Sequence, residues 1–489
     1  MRIGGLASGM DVDTMIKNLM KAERLPYNKL SQKKQVLEWQ RDDYRQVNTS
    51  LKQLDTFLFD NLVLQGSTMT KKTSSTGESV VTATANSSAA NVSSNIKVDR
   101  LASSATWVSE GNAKSFEARN GDLSLKVTSG SGVLKDKEVT VSISATDTVK
   151  DIAAKLSNDK DLNVSVIYDE VSGKMSITSK DTGQAGSIVL GDEETVKFFQ
   201  TLGFSFSSAA PNQELTGKTA GTDALFTING LTTTRSSNTF SMNNVTYTLK
   251  GEGSSTVSVS NNNDALFDKI VQFVGKYNDT IESLNKKINE ERYKGYQPLS
   301  QDERNELSEK QIEQWEEKAK SGLLRRDSLI SSGLTSMRTQ LYNPVSINSE
   351  FKQLSAIGIT TTSNYQENGK LKIDENKLRE AIGKDPNAVF QLFSADGATP
   401  AEKGLARRLR NSIKDTVGKI EERAGNATKT NQSFAIGRNL INLDSQMNRF
   451  ESRLKQVEDR YWRQFTAMEK AISKSNDQYS FLMQQFSGN

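Results

Sequence analysis

Four constellations in the 489-residue sequence have residue types and spacings that could do chemistry. Asp159, Asp161, Asn163 and Glu170 fall at positions 1, 3, 5 and 12 of a calcium-binding loop. Position 6 of such a loop takes Gly for its sharp turn. Here it is Val164, and the residues after it alternate as in a strand, so the segment reads as a solvated turn. Gly217, Lys218 and Thr219 match the end of a phosphate loop, but Asn212 stands where the first Gly belongs, which leaves an ordinary loop. Asp192, Glu193 and Glu194 gather three carboxylates with no nucleophile beside them, and a solvated turn accounts for them. Arg325 and Arg326 offer a seat for an anion or an acidic neighbouring subunit, against the simpler reading of a charge pair at a helix end.

The chain contains neither Cys nor His. That removes thiolate nucleophiles, disulfides, Cys/His metal sites and the side chain that most often moves protons near neutral pH. No catalytic, metal-binding or cofactor-binding residue is assigned, and the chain reads as no enzyme. The formal net charge is +4, with Lys and Arg interspersed among Asp and Glu. A nucleic-acid surface needs a concentrated basic face, so none is expected. Residues Met1 to Arg24 lack the apolar core of a cleavable signal, and no run approaches a membrane span. The protein is either cytosolic or leaves the cell by a route that reads no cleaved signal.

With no chemistry to position, the elements carry the argument. The longest is a C-terminal helix with an apolar stripe: Ile436, Leu440, Leu443, Met447, Phe450, Leu454, Val457, Tyr461, Phe465, Met468, Ile472, then Tyr479, Leu482 and Phe486. Steps of 4 and 3 alternate, with two consecutive 4s between Val457 and Phe465. No Pro or Gly interrupts Arg438 to Ser487, so the helix extends for about 75 Å. A seam of that period requires a partner helix, in the same chain or in another copy.

The N-terminus supplies one candidate partner. After a Gly-rich lead (Gly4, Gly5, Gly9), Asp11 and Asp13 are helix-start candidates, and Val12, Met15, Ile16 and Leu19 share a helical face. Pro26 is expected to open a second helix bearing Leu30, Leu37, Tyr44, Val47, Leu51, Leu54, Leu58 and Leu62, ending near Gly66. Leu482, Met483 and Phe486 outrun what the first helix can cover, so part of the seam is expected to face another subunit.

From about Thr70 the sequence becomes rich in Ser, Thr, Val, Asn and Gly, with alternating runs at Val139 to Ile143, Val164 to Tyr168 and Met175 to Ile177. One short helix over Val149 to Leu156 is started by Thr146 or Asp147. Helical patterning returns near Asp264 and includes a capping box at Ser300 and Glu303, then a helix from Asp327 to Tyr342. Ile357 and Ile359 are expected to pair with Leu371 and Ile373 across Asn368 and Gly369, and Asp374 and Asp385 to cap two helices.

The fold class is therefore multidomain α+β, with terminal coiled-coil helices, a helical and α+β middle layer and central, mostly-β insert domains. The expected domains are residues 1–36 with 435–489 as a terminal leg, 37–70 with 264–434 as a helix-rich body, and 71–263 as a β head of two subdomains.

Read together, these segments resemble the flagellar hook-associated protein 2 family of filament-capping proteins. The resemblance is carried by Gly4 to Leu30, Asp223 to Phe240, Phe351 to Ile382 and Arg460 to Ile472. In addition, Thr140 to Ser179 looks like a repeat of flagellins and hook-associated proteins. It implies export as an unfolded chain through the flagellar type III channel and a location at the flagellum tip. It also implies a ring-like homo-oligomer, commonly a pentamer, that retains emerging flagellin and promotes its folding and insertion without consuming nucleotide. The implied partners are further copies of the chain, flagellin, the hook–filament junction proteins and a C-terminal export chaperone. Val12, Met15, Ile16 and Leu19 would pack on the C-terminal seam as a leg, with Leu440, Leu443, Met447, Phe450, Leu454, Val457, Tyr461, Phe465, Met468 and Ile472 mediating assembly. The competing reading is a secreted adhesin or glycan-binding surface protein, which exposed aromatics on the β insert would favour; Trp107 is its only Trp.

Overall fold

In the computed structural model, which describes residues 11–113, 116, 118–128, 137–364 and 367–486, one helix runs from Val12 to Leu58. The break expected at Pro26 does not occur. Pro26 lies inside the helix at an exposed position, where the Ala22 carbonyl it leaves without an amide donor is open to water. Packing along the rest of the helix outweighs that local cost. A single π turn, Phe59–Val63, closes it, with the Leu64 amide bonded to the Phe59 carbonyl at 3.1 Å. The Gly-rich lead falls outside the described residues.

Two compact units make up the chain, Met1–Leu64 with Asn263–Asn489, and Gln65–Asn262. In the first, the N-terminal helix packs against the helices Leu405–Ala424 and Ala435–Phe486. Its heptad residues Tyr44, Val47, Leu51, Leu54 and Leu58 are buried, as are Ile270, Phe273 and Tyr277 of the helix Asn263–Asn289. Each large apolar side chain buried here contributes about 1.5–3 kcal/mol. Phe273 meets Phe393 edge-on at 5.8 Å. The Leu405–Ala424 helix crosses Ser328–Tyr342 closely, because Gly333 offers no Cβ to clash with Thr416 and the Ser412 hydroxyl bonds the Ser336 hydroxyl at 2.8 Å.

The small hairpin of this unit pairs Ile359 with Ile373 and Thr361 with Leu371 across a turn in which Asn368 and Gly369 both take positive φ. Ile357 is not part of it. That residue ends a 3-10 turn, Leu354–Ile357, and Gly358 at φ 80° separates it from the strand. Asp374 and Asp385 cap the helices Glu375–Lys384 and Pro386–Ser394.

The second unit holds two β cores. One, around Phe226, Phe240 and Tyr247, lies between a five-stranded sheet, in the order 71–75, 253–261, 93–100, 224–228, 231–235, and a three-stranded sheet. The other surrounds Trp107 and Phe199 with two four-stranded sheets and the helices Val149–Asn158 and Glu193–Thr201. Asn-Gly and Asn-Asn turns at 229–230 and 243–244, all at positive φ, close two of the hairpins. The helix Val149–Asn158 is capped by Thr148, one or two residues later than expected, in a capping box with Asp151.

Candidate assembly interface

The chemically suggestive residues serve local structure. An Asp159 carboxylate oxygen accepts the amides of Asp161 and Leu162, Asp161 pairs with Lys137 and Glu170 with Lys150, so the calcium-like spacing closes a turn between helix and strand. Gly217, at φ 69°, lies where a Cβ would strike the Val108 carbonyl, which fixes the loop before Lys218. The Asp192 cluster is not a turn. Asp192 caps the helix Glu193–Thr201 by accepting the Thr195 amide at 2.7 Å, and Glu193 and Glu194 occupy its first turn, where the helix dipole favours acid. Arg325 and Arg326, by contrast, lie in no helix. They sit in the turn before Ser328–Tyr342, with Arg326 at φ 56° donating its amide to the Ile288 carbonyl.

The terminal helices form an extended apolar seam. Asp11 caps the first of them by accepting the Thr14 amide at 2.9 Å. That hydrogen bonding, led by the Thr14 hydroxyl, holds the Asp11 carboxyl below its ordinary range. Val12, Ile16 and Met20 then form a buried cluster with Leu454 and Val457, edged by Tyr27, Phe450, Tyr461, Trp462 and Phe465. The helices run antiparallel. Tyr461 donates to Glu23 at 3.1 Å, and further up Lys34 reaches Asp444 at 2.7 Å.

Met15 and Leu19, expected inside this seam, are each 40% exposed, and Met20 takes their place. At 3.6 residues per turn, positions 12, 16 and 20 keep facing a neighbour that the helix crosses at an angle, while 15 and 19 turn to one side. On the C-terminal helix Leu440 and Leu443 are buried, and Met447, Met468 and Ile472 half-buried. Phe465 borders the cluster that holds Val12. Beyond it Tyr479, Phe481, Leu482, Met483 and Phe486 are all exposed, Phe486 by 80%.

Trp107, the Trp of the β insert, is fully buried. Among the described residues of Gln65–Asn262 no aromatic side chain is exposed, so the platform that a glycan-binding reading needs is not found there. Among the described residues, no helix is long and apolar enough to cross a membrane.

Long helices at both chain ends, a helix-rich body and a central β insert define a multidomain α+β protein whose prominent surface is a helical seam. A family model described as flagellar hook-associated protein 2 C-terminus matches residues 221–477, and one for the N-terminus of the same protein matches 8–105. The flagellin hook IN motif matches 122–181. The flagellar hook-associated protein 2 of Halalkalibacterium halodurans is 36% identical over 537 aligned residues, covering 99% of this chain and all of that protein. That of Escherichia coli K12 is 25% identical over 99% of this chain and 98% of its own. A crystal structure of the flagellar cap protein FliD from Escherichia coli, domains D1-D2-D3, shares the fold. Its TM-score is 0.55 at 22% identity, with coverage of 82% of this chain and 99% of that one. The chain belongs to the flagellar hook-associated protein 2 family.

Proposed function

We propose that this protein caps the growing flagellar filament as a ring of identical subunits, a pentamer by preference, retaining exported flagellin and promoting its folding and polymerisation beneath the ring. Family membership supports the setting. The observation that carries the assembly reading is the apolar end of the C-terminal helix, where Tyr479, Phe481, Leu482 and Phe486 stand exposed. A cluster of large apolar side chains in water is an interaction site. Its occupants would change with the stage of assembly: an export chaperone inside the cell, then flagellin, the hook–filament junction proteins and neighbouring copies at the tip. Exit through the type III channel as an unfolded chain suits a sequence without Cys. The work of insertion would come from subunit folding, with no nucleotide consumed.

Electron micrographs of a deletion strain test this reading. Hooks without filaments, with flagellin monomer lost to the medium, are expected, and the wild-type chain should restore filaments. Full-length filaments in the deletion strain would exclude the capping role.

A further inference from the structure

In the sheet around Trp107 the strand Val164–Asp169 lies at an edge, paired on one side with Lys174–Thr182. The run from Leu162 to Tyr168 holds no charge, no Pro and no Gly, a composition that favours strand pairing between chains. Val164, Val166 and Tyr168 turn toward the core, while Ser165 and Ile167 face outward, Ile167 being 65% exposed. The Lys180 amide donates to the Asn163 carbonyl at 3.0 Å, which sets the hydrogen-bond alternation. Residues 163, 165 and 167 therefore bond inward, and the N–H and C=O groups of 164, 166 and 168 point to the outer edge. Left open, such an edge is a template for another strand.

At Val166, the middle of that edge, the place of another strand is taken. Its amide donates to Ser157 Oγ at 2.8 Å, and the Ser157 hydroxyl donates to its carbonyl at 3.4 Å. One hydroxyl thus meets both groups that a partner strand would meet. Ser157 is half-buried in the last turn of the helix Val149–Asn158, and its own carbonyl accepts Lys180 Nζ at 3.0 Å. The helical unit uses the same device on its hairpin. There the Asn278 side chain accepts the Leu371 amide at 2.7 Å and donates to the Leu371 carbonyl at 2.9 Å.

We infer that Ser157 is an edge guard, which holds this strand closed against antiparallel pairing with the same strand of a second copy. The strand's own sequence selects that occupant. Turned about Val166, the segment is self-complementary: Val166 faces Val166 through the two backbone bonds now made to Ser157, Val164 faces Tyr168, and Ser165 faces Ile167. Across residues 163–169 no like charges oppose each other, because Asp169 then faces Asn163. Such pairing is two-fold and self-limited to couples of heads, in competition with a closed ring. The guard belongs to the β unit alone and holds whether or not the legs assemble.

Thioflavin T fluorescence and light scattering of the incubated full chain read the pairing, and amide exchange at Val166 reads the guard. Ser157→Ala should speed exchange at Val166 about tenfold and the growth of thioflavin-positive species about tenfold, each relative to wild type. Ser157→Thr keeps the hydroxyl and should match wild type in both. Ile167→Lys added to Ser157→Ala puts a cation at the centre of the exposed edge. It should return association to the wild-type rate while exchange at Val166 stays fast. Ser157→Cys under reducing conditions, with its weaker donor and acceptor, gives the same direction more weakly should Ser157→Ala fail to fold. Exchange at Val166 that stays slow, or fast exchange without faster association, overturns the guard. So does association that Ile167→Lys leaves unchanged.

Discussion

Tyr44 Oη donates a 2.5 Å hydrogen bond to Asp327 Oδ2, joining residues 283 positions apart. The other Asp327 oxygen accepts the Leu329 and Ile330 amides, so one carboxylate both starts the helix Ser328–Tyr342 and anchors the N-terminal helix. Burial, then this hydrogen bond, push the Tyr44 phenol far above its ordinary value, which keeps it a neutral donor. Tyr44→Phe should cost about 1–2 kcal/mol, leaving the cap in place but one half-buried acceptor less satisfied. Tyr44→Ala should cost about 3–5 kcal/mol, because it also opens a cavity. Urea unfolding at neutral pH measures both, and a Tyr44→Phe variant as stable as wild type would contradict the anchoring role.

Pro26 predicts a gain of stability. It interrupts the hydrogen-bond ladder of a 47-residue helix while standing at an exposed position. Pro26→Ala returns the missing amide to the Ala22 carbonyl, so the helix should be stabilised by about 1–3 kcal/mol. Thermal unfolding followed by circular dichroism checks this. A lower transition temperature would mean that the proline ring makes a contact the helix depends on.

The Pro26 result also marks where the sequence stopped being legible. Long, strongly periodic elements were readable because their patterns repeat: the Ala435–Phe486 helix, the Tyr44 to Leu58 heptads, and the alternating strands of the insert. Capping residues with one competent side chain, Ser300, Asp374 and Asp385, were readable for the same physical reason that they work, whereas Asp11 and Asp13 were equal candidates until the structure chose Asp11. Short elements were not. The nine-residue helix after Asp192 has Val196, Phe198 and Phe199 buried, too few positions to separate helix from turn. Within the seam, choosing Met15 and Leu19 over Met20 needed the direction in which the partner crosses, and a helical pattern does not contain that angle.

Acid should loosen the entry of the N-terminal helix. Hydrogen bonds from the Thr14 hydroxyl and amide hold the Asp11 carboxyl below its unfolded value. A depressed folded pKa gives a contribution present above the unfolded value of about 4 and lost as pH falls through the folded one. Amide hydrogen exchange at Thr14 and Met15, corrected for intrinsic pH dependence, should therefore show protection dropping below about pH 4. Asp11→Ala should have low protection at every pH and no such step. An equal pH step in that variant would assign it to another group.

Leu454 and Val457 are the sharpest test of the leg, because both are more than nine-tenths buried against Val12, Ile16 and Met20. Leu454→Asp with Val457→Asp places two carboxylates in an apolar cluster. Desolvation of even one costs several kcal/mol, more than this small cluster stabilises, so the terminal helices should separate locally. The β unit Gln65–Asn262 has its own cores around Trp107 and Phe226 and should stay folded, giving unchanged amide-exchange protection in the strands around Trp107 and Phe226. Filament growth should be abolished in a strain carrying only this variant, scored by swarming and by electron microscopy of hooks. Leu454→Met with Val457→Ile keeps the seam apolar and should retain growth, which separates loss of the leg from any effect of substitution at these positions. Normal motility in the double Asp strain would refute the role given to the seam.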